Sequence, residues 1–229
     1  MPDAMHPHEL TLTLADGSTV SALLQAPPDA RACYVFAHGA GAGIEHSFMA
    51  AVAAGLAARG IATLRYQFPY MERGSKRPDK PAVAHAAVRA AVAAAAQRCP
   101  GLPLTAGGKS FGGRMTSQAQ AAEPLPGVRG LVFFGFPLHT AGKPAIERAA
   151  HLAKVECPML FLQGTRDELA EVELITGVTN ELGSRRATLE LVAEADHSFH
   201  VPARSGRKDA EVLEGLLDIC AQWIGRLAA

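Results

Sequence analysis

A short apolar run that passes through glycines into a single serine is the feature that most restricts the fold of this chain. Residues 102–106 form the run, and the segment Gly107-Gly-Lys-Ser-Phe-Gly-Gly113 follows it, ahead of a helix-compatible stretch. Glycines two positions before and two positions after the serine remove the side chains that would hold a strand and a helix apart. This spacing predicts a sharp strand-to-helix turn with Ser110 at its apex, in a strained backbone conformation.

Two other interpretations of the glycines would imply nucleotide binding, and the sequence excludes both. A Walker A loop needs a glycine five residues before Gly108, where this chain has Pro103. The alternating glycines of residues 39–43 lack the third glycine of a dinucleotide-binding fingerprint. The Gly-x-Ser-x-Gly pattern of residues 108–112 instead matches the turn that presents a nucleophilic serine above the end of a sheet.

Composition and charge favour a globular protein without a nucleic-acid or membrane surface. The 229 residues are 48% hydrophobic and 19% charged, which predicts a single domain over residues 1–229. The 22 basic and 22 acidic residues give a formal net charge of +0, so no nucleic-acid or anionic-membrane partner is expected. No stretch is apolar enough to span a membrane, and Met1–Leu10 lacks the apolar core of a signal peptide.

The four cysteines are scattered and form no C-x-x-C pair, so reduced thiols are expected rather than a disulfide framework. Together with the absence of a signal peptide pattern, this predicts a cytoplasmic protein. A monomer or a homodimer is the expected assembly.

Apolar strand-like segments alternate with helical patterns along most of the chain. Alternating residues at 10–14 and 20–24 flank an Asp-Gly turn, which predicts an antiparallel hairpin. Six further strand-like segments, separated mostly by helical patterns, follow at 32–37, 61–64, 102–106, 130–135, 159–162 and 189–191. This order predicts an α/β fold with a mostly parallel, roughly eight-stranded sheet and helices on both faces.

Two local expectations bear on the site. Ser47 is suited to cap the helix that follows the glycine-rich run of residues 39–43. The aromatic segment 65–74 follows a strand end, and two interpretations are open for it. It is either a pocket wall or a surface loop with one anchored aromatic ring.

Three residue types that nucleophilic acyl transfer requires follow predicted strands. Ser110, Asp167 and His197 each lie in a loop just after a strand. The carboxyl ends of parallel strands share one edge of a sheet, so we expect these side chains to meet there. The order serine, acid, histidine differs from that of the chymotrypsin and subtilisin families. His200 is the alternative histidine and Glu168 the alternative carboxylate.

With these residues the chain resembles the α/β-hydrolase superfamily over roughly residues 10–228. It is most similar to the small, nearly lidless, dienelactone-hydrolase-like members, and among them to a bacterial subfamily related to testis-expressed and chromatin-complex hydrolase-like proteins. The resemblance is carried by five motifs: His38-Gly-Ala-Gly-Ala-Gly43, Gly107-Gly-Lys-Ser-Phe-Gly-Gly-Arg114, Pro137-Leu-His139, Gly164-Thr-Arg-Asp167 and Asp196-His-Ser-Phe199.

The resemblance has two limits. Dienelactone hydrolases proper use a cysteine nucleophile, so their lactone substrate is not implied for a chain with Ser110. The chromatin-complex relatives are thought to act as subunits, so a non-catalytic protein-interaction module with the same fold is the alternative function.

The resemblance implies an α/β-hydrolase fold with minimal or no cap, and a serine hydrolase of carboxylic esters that uses an acyl-enzyme, no cofactor and no metal. Ser110 would attack a small-molecule ester, His197 would transfer the proton, and Asp167 would hold the imidazole. The backbone N–H groups of Ala40 and Phe111 would bind the oxyanion. A peptidase or thioesterase with the same triad is a further alternative.

The interval 138–157 has room for one loop and one short helix rather than a cap, which favours small or flexible acyl groups. Residues near the expected mouth are candidates for the substrate pocket: His38, Gly39, Phe68, Tyr70, Leu138 and His139. His38 is expected to shape the oxyanion loop, and His139 either touches substrate or is structural.

Three further polar residues need an interpretation. Lys109 and Arg114 are expected to be solvent-exposed or ion-paired, since the Walker A pattern is excluded. His197 and His200 have the spacing of a metal-binding pair, but no further ligands follow at suitable spacing, so zinc is not expected.

Overall fold

The computed structural model describes residues 6–228, and the strands in this range form one eight-stranded sheet. The strand order across it is β1-β2-β4-β3-β5-β6-β7-β8. Strand β2 runs antiparallel to both its neighbours, and every other pair is parallel. The strands are β1 (His8–Thr13), β2 (Thr19–Gln25), β3 (Ala32–Ala37), β4 (Ile61–Tyr66), β5 (Leu104–Lys109), β6 (Val128–Phe134), β7 (Met159–Gly164) and β8 (Ala187–Val192).

Helices cover the sheet on both faces, which confirms the expected α/β-hydrolase fold. The helices are α1 (Ser47–Ala57), α2 (Pro69–Glu72), α3 (Pro81–Arg98), α4 (Phe111–Ala122), α5 (Val172–Leu182) and α6 (Asp209–Ala228). Helices α1 and α6 pack on one face, whereas α3, α4 and α5 pack on the other. Two 3-10 helices, Glu147–Lys154 and Ala203–Ser205, lie in the connections.

The sequence of the central strand β3 is apolar throughout because both of its faces are covered. All six of its residues are buried. Successive side chains of a strand point to opposite faces, so Tyr34 and Phe36 enter the core beneath α1 and α6. Cys33 and Val35 enter the core beneath α3, α4 and α5. A strand covered on both faces has no solvated side and shows no apolar–polar alternation.

The connection between β6 and β7 is short where larger folds of this type would carry a cap. Within residues 6–228 it consists of a loop and the 3-10 helix Glu147–Lys154, and no cap is present. The sequence predicted a short helix at 146–155, and the structure gives it the tighter 3-10 form. The carboxyl edge of the sheet is therefore open.

Two local expectations need correction. Ser47 is the first residue of α1 rather than its cap, because the Nδ1 of His46 accepts the hydrogen bond from the Phe48 amide at 3.2 Å. The segment 65–74, for which a pocket wall or a surface loop was expected, contains the one-turn helix α2.

Two expectations concern the N-terminal segment and the apolar character of the helices. Residues 1–5, which carry half of the Met1–Leu10 segment, lie outside the described part of the chain. None of the helices within residues 6–228 has both the length and the apolar character that crossing a membrane requires.

Close backbone contact fixes the turn between β5 and α4 against β3. A Cβ atom at Gly108 would lie 2.5 Å from the Ala37 carbonyl oxygen. A Cβ atom at Gly112 would lie 2.5 Å from the His38 carbonyl oxygen and 2.6 Å from that of Ala37. Backbone atoms of a central strand cannot move aside, so these positions accept only glycine.

We expect Gly112→Ala to lower the free energy of unfolding by about 3 kcal/mol, because its methyl group overpacks against backbone. Gly215→Ala in α6 is the matched control, since a Cβ there meets no atom within 4 Å. The control should raise stability by about 0.5–1 kcal/mol through helix propensity. Urea unfolding of both variants measures the two values, and equal values would contradict the steric argument.

Candidate active site

Ser110 lies at the apex of the β5–α4 turn in a strained conformation. Its φ is 51° and its ψ is −115°, a region that side-chain-bearing residues rarely occupy. The turn is held from both sides. The Ser110 amide donates to the Phe134 carbonyl of β6 at 3.1 Å, and the Ser110 carbonyl accepts from the Arg114 amide at 3.1 Å. The side chain is thereby aimed at the open edge of the sheet.

The structure brings the serine, the histidine and the acid into one hydrogen-bonded line. Ser110 Oγ lies 2.8 Å from His197 Nε2, and His197 Nδ1 lies 2.7 Å from Asp167 Oδ2. The imidazole is 24% exposed, whereas the Asp167 carboxylate is fully buried. Nδ1–H can therefore donate to the carboxylate while the unprotonated Nε2 accepts from the hydroxyl.

Asp167 is oriented by two further donors that fix its side chain. The Leu169 amide donates to Oδ1 at 2.8 Å, and Gln163 Nε2 donates to Oδ2 at 2.5 Å. The Phe136 amide in turn donates to Gln163 Oε1 at 2.9 Å, which sets the direction of the side-chain amide. Gln163 is fully buried at the end of β7, and its role was missed in the sequence. Its place at a strand end, four residues before Asp167, was the available signal.

The two alternative residues take other positions. His200 Nδ1 pairs with Asp209 Oδ2 at 2.8 Å, on the surface. Glu168 and His200 both line a depression of about 510 Å³ on the other side of His197. Asp167, and not Glu168, contacts the imidazole.

Lys109 holds the loop that carries His197 through a hydrogen bond to the backbone of that loop. Its Nζ donates to the His197 carbonyl oxygen at 2.5 Å and lies 5.5 Å from the ring centroid of Phe199. Burial lowers the pKa of Lys109 to about 8, although the Asp167 and Asp196 carboxylates oppose this shift. The expectation of a solvent-exposed or surface ion-paired lysine does not describe this residue.

The loop after β3 places free amides beside the serine. Gly39 packs so closely that a Cβ atom on it would lie 3.9 Å from Ser110 Cβ. Within residues 6–228, the amides of Ala40 and Phe111 donate to no protein acceptor. The Phe111 amide is also the first of α4, where the helix dipole is positive.

His38 supports this loop as a neutral side chain. Its Nδ1–H donates to the Gly39 carbonyl at 2.7 Å, and its Nε2 accepts from the Phe68 amide at 3.1 Å. Complete burial lowers the pKa of His38 to about 4, partly offset by the bond to Gly39. The Tyr70 hydroxyl accepts from the Gly41 amide at 3.0 Å and braces the same loop.

Most of the candidate pocket residues are buried in the core and do not line the cleft. Of the six, Gly39 lines the cleft beside Ser110. Phe68, Tyr70 and Leu138 have no exposed surface, because their rings or methyl groups enter the core beneath the loops. His38 is equally buried.

His139 is 3% exposed and is held by its neighbours rather than by the cleft. Its Nδ1 contacts the Thr140 carbonyl at 3.0 Å, and its Nε2 lies 3.7 Å from Glu171 Oε2.

The cleft beside Ser110 has a volume of about 610 Å³. The start of α1 forms one wall, and Leu169 with the loop after β8 forms the other. The α1 wall, which the sequence interpretation missed, consists of His46, Ser47, Phe48, Met49 and Ala51. A larger groove of about 750 Å³ lies along β1 and β2 and contains none of the three triad side chains. The cleft beside Ser110 is therefore the candidate substrate site.

No group of three or more histidine, cysteine, aspartate or glutamate side chains in the described residues is arranged to hold a metal ion. The chemical capacity of the site therefore rests on the serine, the imidazole, the carboxylate and the two amides.

Solved structures share this architecture over almost their whole length. A dienelactone hydrolase from Anabaena variabilis is 19% identical with a TM-score of 0.77, over 96% of this chain and 98% of that one. An α/β serine hydrolase homologue from Coxiella burnetii is 16% identical with a TM-score of 0.74, over 94% and 96%. An α/β serine hydrolase without a lid from Xanthomonas campestris is 22% identical with a TM-score of 0.71, over 95% and 93%.

The sequence profile of the alpha/beta hydrolase domain family matches residues 30–225, which include the serine turn, the acid and the histidine. The chain therefore belongs to the α/β-hydrolase superfamily.

Proposed function

We propose that the protein is a serine hydrolase that cleaves carboxylic esters through a covalent acyl-enzyme. The observation that carries this proposal is the unbroken line from Ser110 Oγ through His197 to Asp167, with contacts of 2.8 and 2.7 Å. A hydroxyl is a weak nucleophile unless a base removes its proton as it attacks. The imidazole is in place for this task, and its orientation is fixed by the carboxylate.

The reaction proceeds in two halves. Ser110 Oγ attacks the ester carbonyl while its proton passes to His197 Nε2, and Asp167 stabilises the imidazolium that forms. The tetrahedral intermediate collapses as Nε2 returns the proton to the departing alcohol oxygen. Water then repeats these steps on the acyl-enzyme, which releases the carboxylic acid and restores Ser110.

The negative charge that develops on the carbonyl oxygen would be bound by the Ala40 and Phe111 amides. Support comes from their lack of other acceptors in residues 6–228 and from the packing of Gly39 against Ser110. Preorganised donors of this kind contribute about 10²–10³ in rate each. The buried His38 and Tyr70 stabilise the loop that carries one of them.

The cleft along the start of α1 would hold the acyl chain. Its walls are mostly small or apolar side chains, and Phe48 stacks on Phe199 with ring centroids 6.0 Å apart. No cap closes over it within residues 6–228, so it offers a short open groove rather than a tunnel. This favours small or flexible acyl groups over long lipids.

The remaining parts of the proposal follow from composition and chemistry. The enzyme would act on a small-molecule ester as a single domain, in monomeric or homodimeric form, without a cofactor. Cys33, Cys99, Cys157 and Cys220 are free thiols, which suits the reducing cytoplasm.

We expect Ser110→Ala to lower kcat/KM for p-nitrophenyl butyrate by about 10⁴–10⁶, because the nucleophile is lost while the cleft remains. A fluorophosphonate probe should label the wild type and fail to label this variant. Mass spectrometry of the labelled peptide gives the site directly.

Ser198→Ala is the matched control, since Ser198 lines the same cleft without contacting the imidazole ring. It should keep both labelling and turnover. A folded wild type that takes no label would contradict the proposal and favour a non-catalytic interaction module.

A second prediction concerns the cleft beside Ser110, which would hold the acyl chain. Ala51 faces the cleft from α1, so Ala51→Phe should shorten the groove and lower kcat/KM for p-nitrophenyl hexanoate about tenfold more than for the acetate. Ala54→Phe on the exposed side of α1 should leave both values unchanged. A wild-type preference for long-chain triglycerides, or equal losses for both esters in Ala51→Phe, would contradict this placement.

A further inference from the structure

Arg114 occupies a position close to Ser110 that the proposed chemistry does not use. It lies one turn further along α4, and helical side chains lean toward the N-terminus of their helix. Its guanidinium carbon accordingly lies 5.9 Å from the ring centroid of Phe111, the residue after the nucleophile. The guanidinium therefore lies beside the first residue of α4.

The groups that surround Arg114 are basic rather than acidic. Arg148, at the start of the 3-10 helix Glu147–Lys154, is close enough for its charge to act on Arg114, and its Nη1 donates to the His139 carbonyl at 2.8 Å. His151 lies on the same 3-10 helix, and its Nε2 contacts Ser117 Oγ at 2.8 Å. His85 of α3 lies near His151. We call Arg114, Arg148, His151 and His85 the basic cluster.

The basic cluster has no carboxylate of its own. Neither Arg114 nor Arg148 forms an ion pair within residues 6–228. Glu123 lies 3.4 Å from Arg89 and Glu171 lies 3.7 Å from His139, so neither of these carboxylates pairs with the cluster.

Two nitrogen atoms in the cluster are buried without a partner. The Nε of Arg114 and the Nε2 of His85 make no hydrogen bond and are shielded from solvent. Burial of a donor without an acceptor costs about 1–3 kcal/mol, and more when the group is charged.

The electrostatics agree with this geometry. Burial, and then the charge of Arg148, lowers the pKa of Arg114. Burial and the charge of Arg114 lower the pKa of His151 to about 4, so its imidazole is neutral near pH 7. Two guanidinium groups that repel each other, with unused donors, form an arrangement that a bound anion would stabilise.

The cluster and the acyl cleft lie on opposite sides of the nucleophile. The cleft is bounded by α1, which covers one face of the sheet, whereas α3, α4 and the 3-10 helix cover the other. An ester at Ser110 has two arms. With the acyl arm in the α1 cleft, the alcohol arm would extend to the other side of Ser110, where α4 carries Phe111 and Arg114.

We propose that Arg114 and Arg148 bind a carboxylate on the alcohol arm of the substrate, so that the preferred esters are those of carboxylated alcohols. This proposal rests on the proposed esterase function. A carboxylate offers two oxygens to the fork of the Arg114 guanidinium and neutralises the repulsion with Arg148.

The test compares 4-carboxyphenyl butyrate with 4-carbamoylphenyl butyrate, which has nearly the same shape and no charge. The wild type should have a kcat/KM about tenfold or more higher for the carboxylate, mainly through KM, as expected for a hydrogen bond to a charged group. In Arg114→Met the ratio should fall to about one, and Arg114→Lys should restore part of it. Arg129→Met, at the opposite end of β6, should keep the wild-type ratio.

A stability measurement separates binding from a structural role. Removal of an unpaired, half-buried charge next to another guanidinium should leave the Tm of Arg114→Met equal to or above that of the wild type. The proposal would be overturned if Arg114→Met had a lower Tm than the wild type and the wild type had a carboxylate-to-carbamoyl ratio of kcat/KM below about two.

Binding to the Ser110→Ala variant distinguishes failure of the site from failure of the proposed function. By calorimetry, 4-hydroxybenzoate should bind at least about tenfold more tightly than 4-hydroxybenzamide, and this difference should vanish in Ser110→Ala/Arg114→Met. That result would support the site even if the wild type hydrolysed neither ester. Binding of inorganic phosphate alone, without a preference between the two benzoyl compounds, would indicate an adventitious anion site only and would overturn the proposal.

Discussion

The contact between the backbone of the β5–α4 turn and the end of β3 is the constraint on which the site depends. Gly108 and Gly112 allow the turn to approach the Ala37 and His38 carbonyls to distances that no side chain could share. This contact puts Ser110 in its strained conformation and sets it next to the loop that begins at Gly39. Strain of about 1–3 kcal/mol at one residue persists because the surrounding sheet over-determines it.

Hydrogen bonds to the backbone then position the remaining groups. Gln163 links the Phe136 amide to Asp167, and Lys109 ties the carbonyl of His197 to the strand that carries the nucleophile. His38 performs the same task for the Gly39 loop. Asp167, His197 and the Gly39 loop are therefore each tied to the sheet through one polar side chain, and the Ser110–His197 and His197–Asp167 distances are 2.8 and 2.7 Å although no lid is present within residues 6–228.

Much of the fold could be predicted because its causes are local. Continuous apolar runs predict strands buried on both faces, and β3 has that environment. The position of Ser110, Asp167 and His197 just after strands β5, β7 and β8 predicted their adjacency, because parallel strands end at one edge. The glycine spacing around Ser110 predicted the sharp turn, because glycines at these positions remove the side chains that would hold the strand and the helix apart.

The pocket could not be predicted in the same way, because side-chain direction in a connecting segment depends on tertiary packing. Phe68 and Tyr70 follow a strand end as a pocket wall would, yet both turn inward and brace the loop of residues 38–44. The true wall comes from the first turn of α1, where the cap is His46 rather than Ser47. The absence of a carboxylate partner for Arg114 within residues 6–228 is likewise invisible in a sequence whose total charges balance.

The short connection between β6 and β7 has a consequence for the fate of the acyl-enzyme under the proposed mechanism. With only a loop and the 3-10 helix Glu147–Lys154 in this interval, bulk solvent has direct access to an acyl group on Ser110. Within residues 6–228 no element covers the rim that could select water over another small hydroxyl compound of similar size. The acyl group is then taken by whichever nucleophile is most abundant, so the same site that hydrolyses esters in water would exchange their alcohols in a solvent rich in methanol or ethanol.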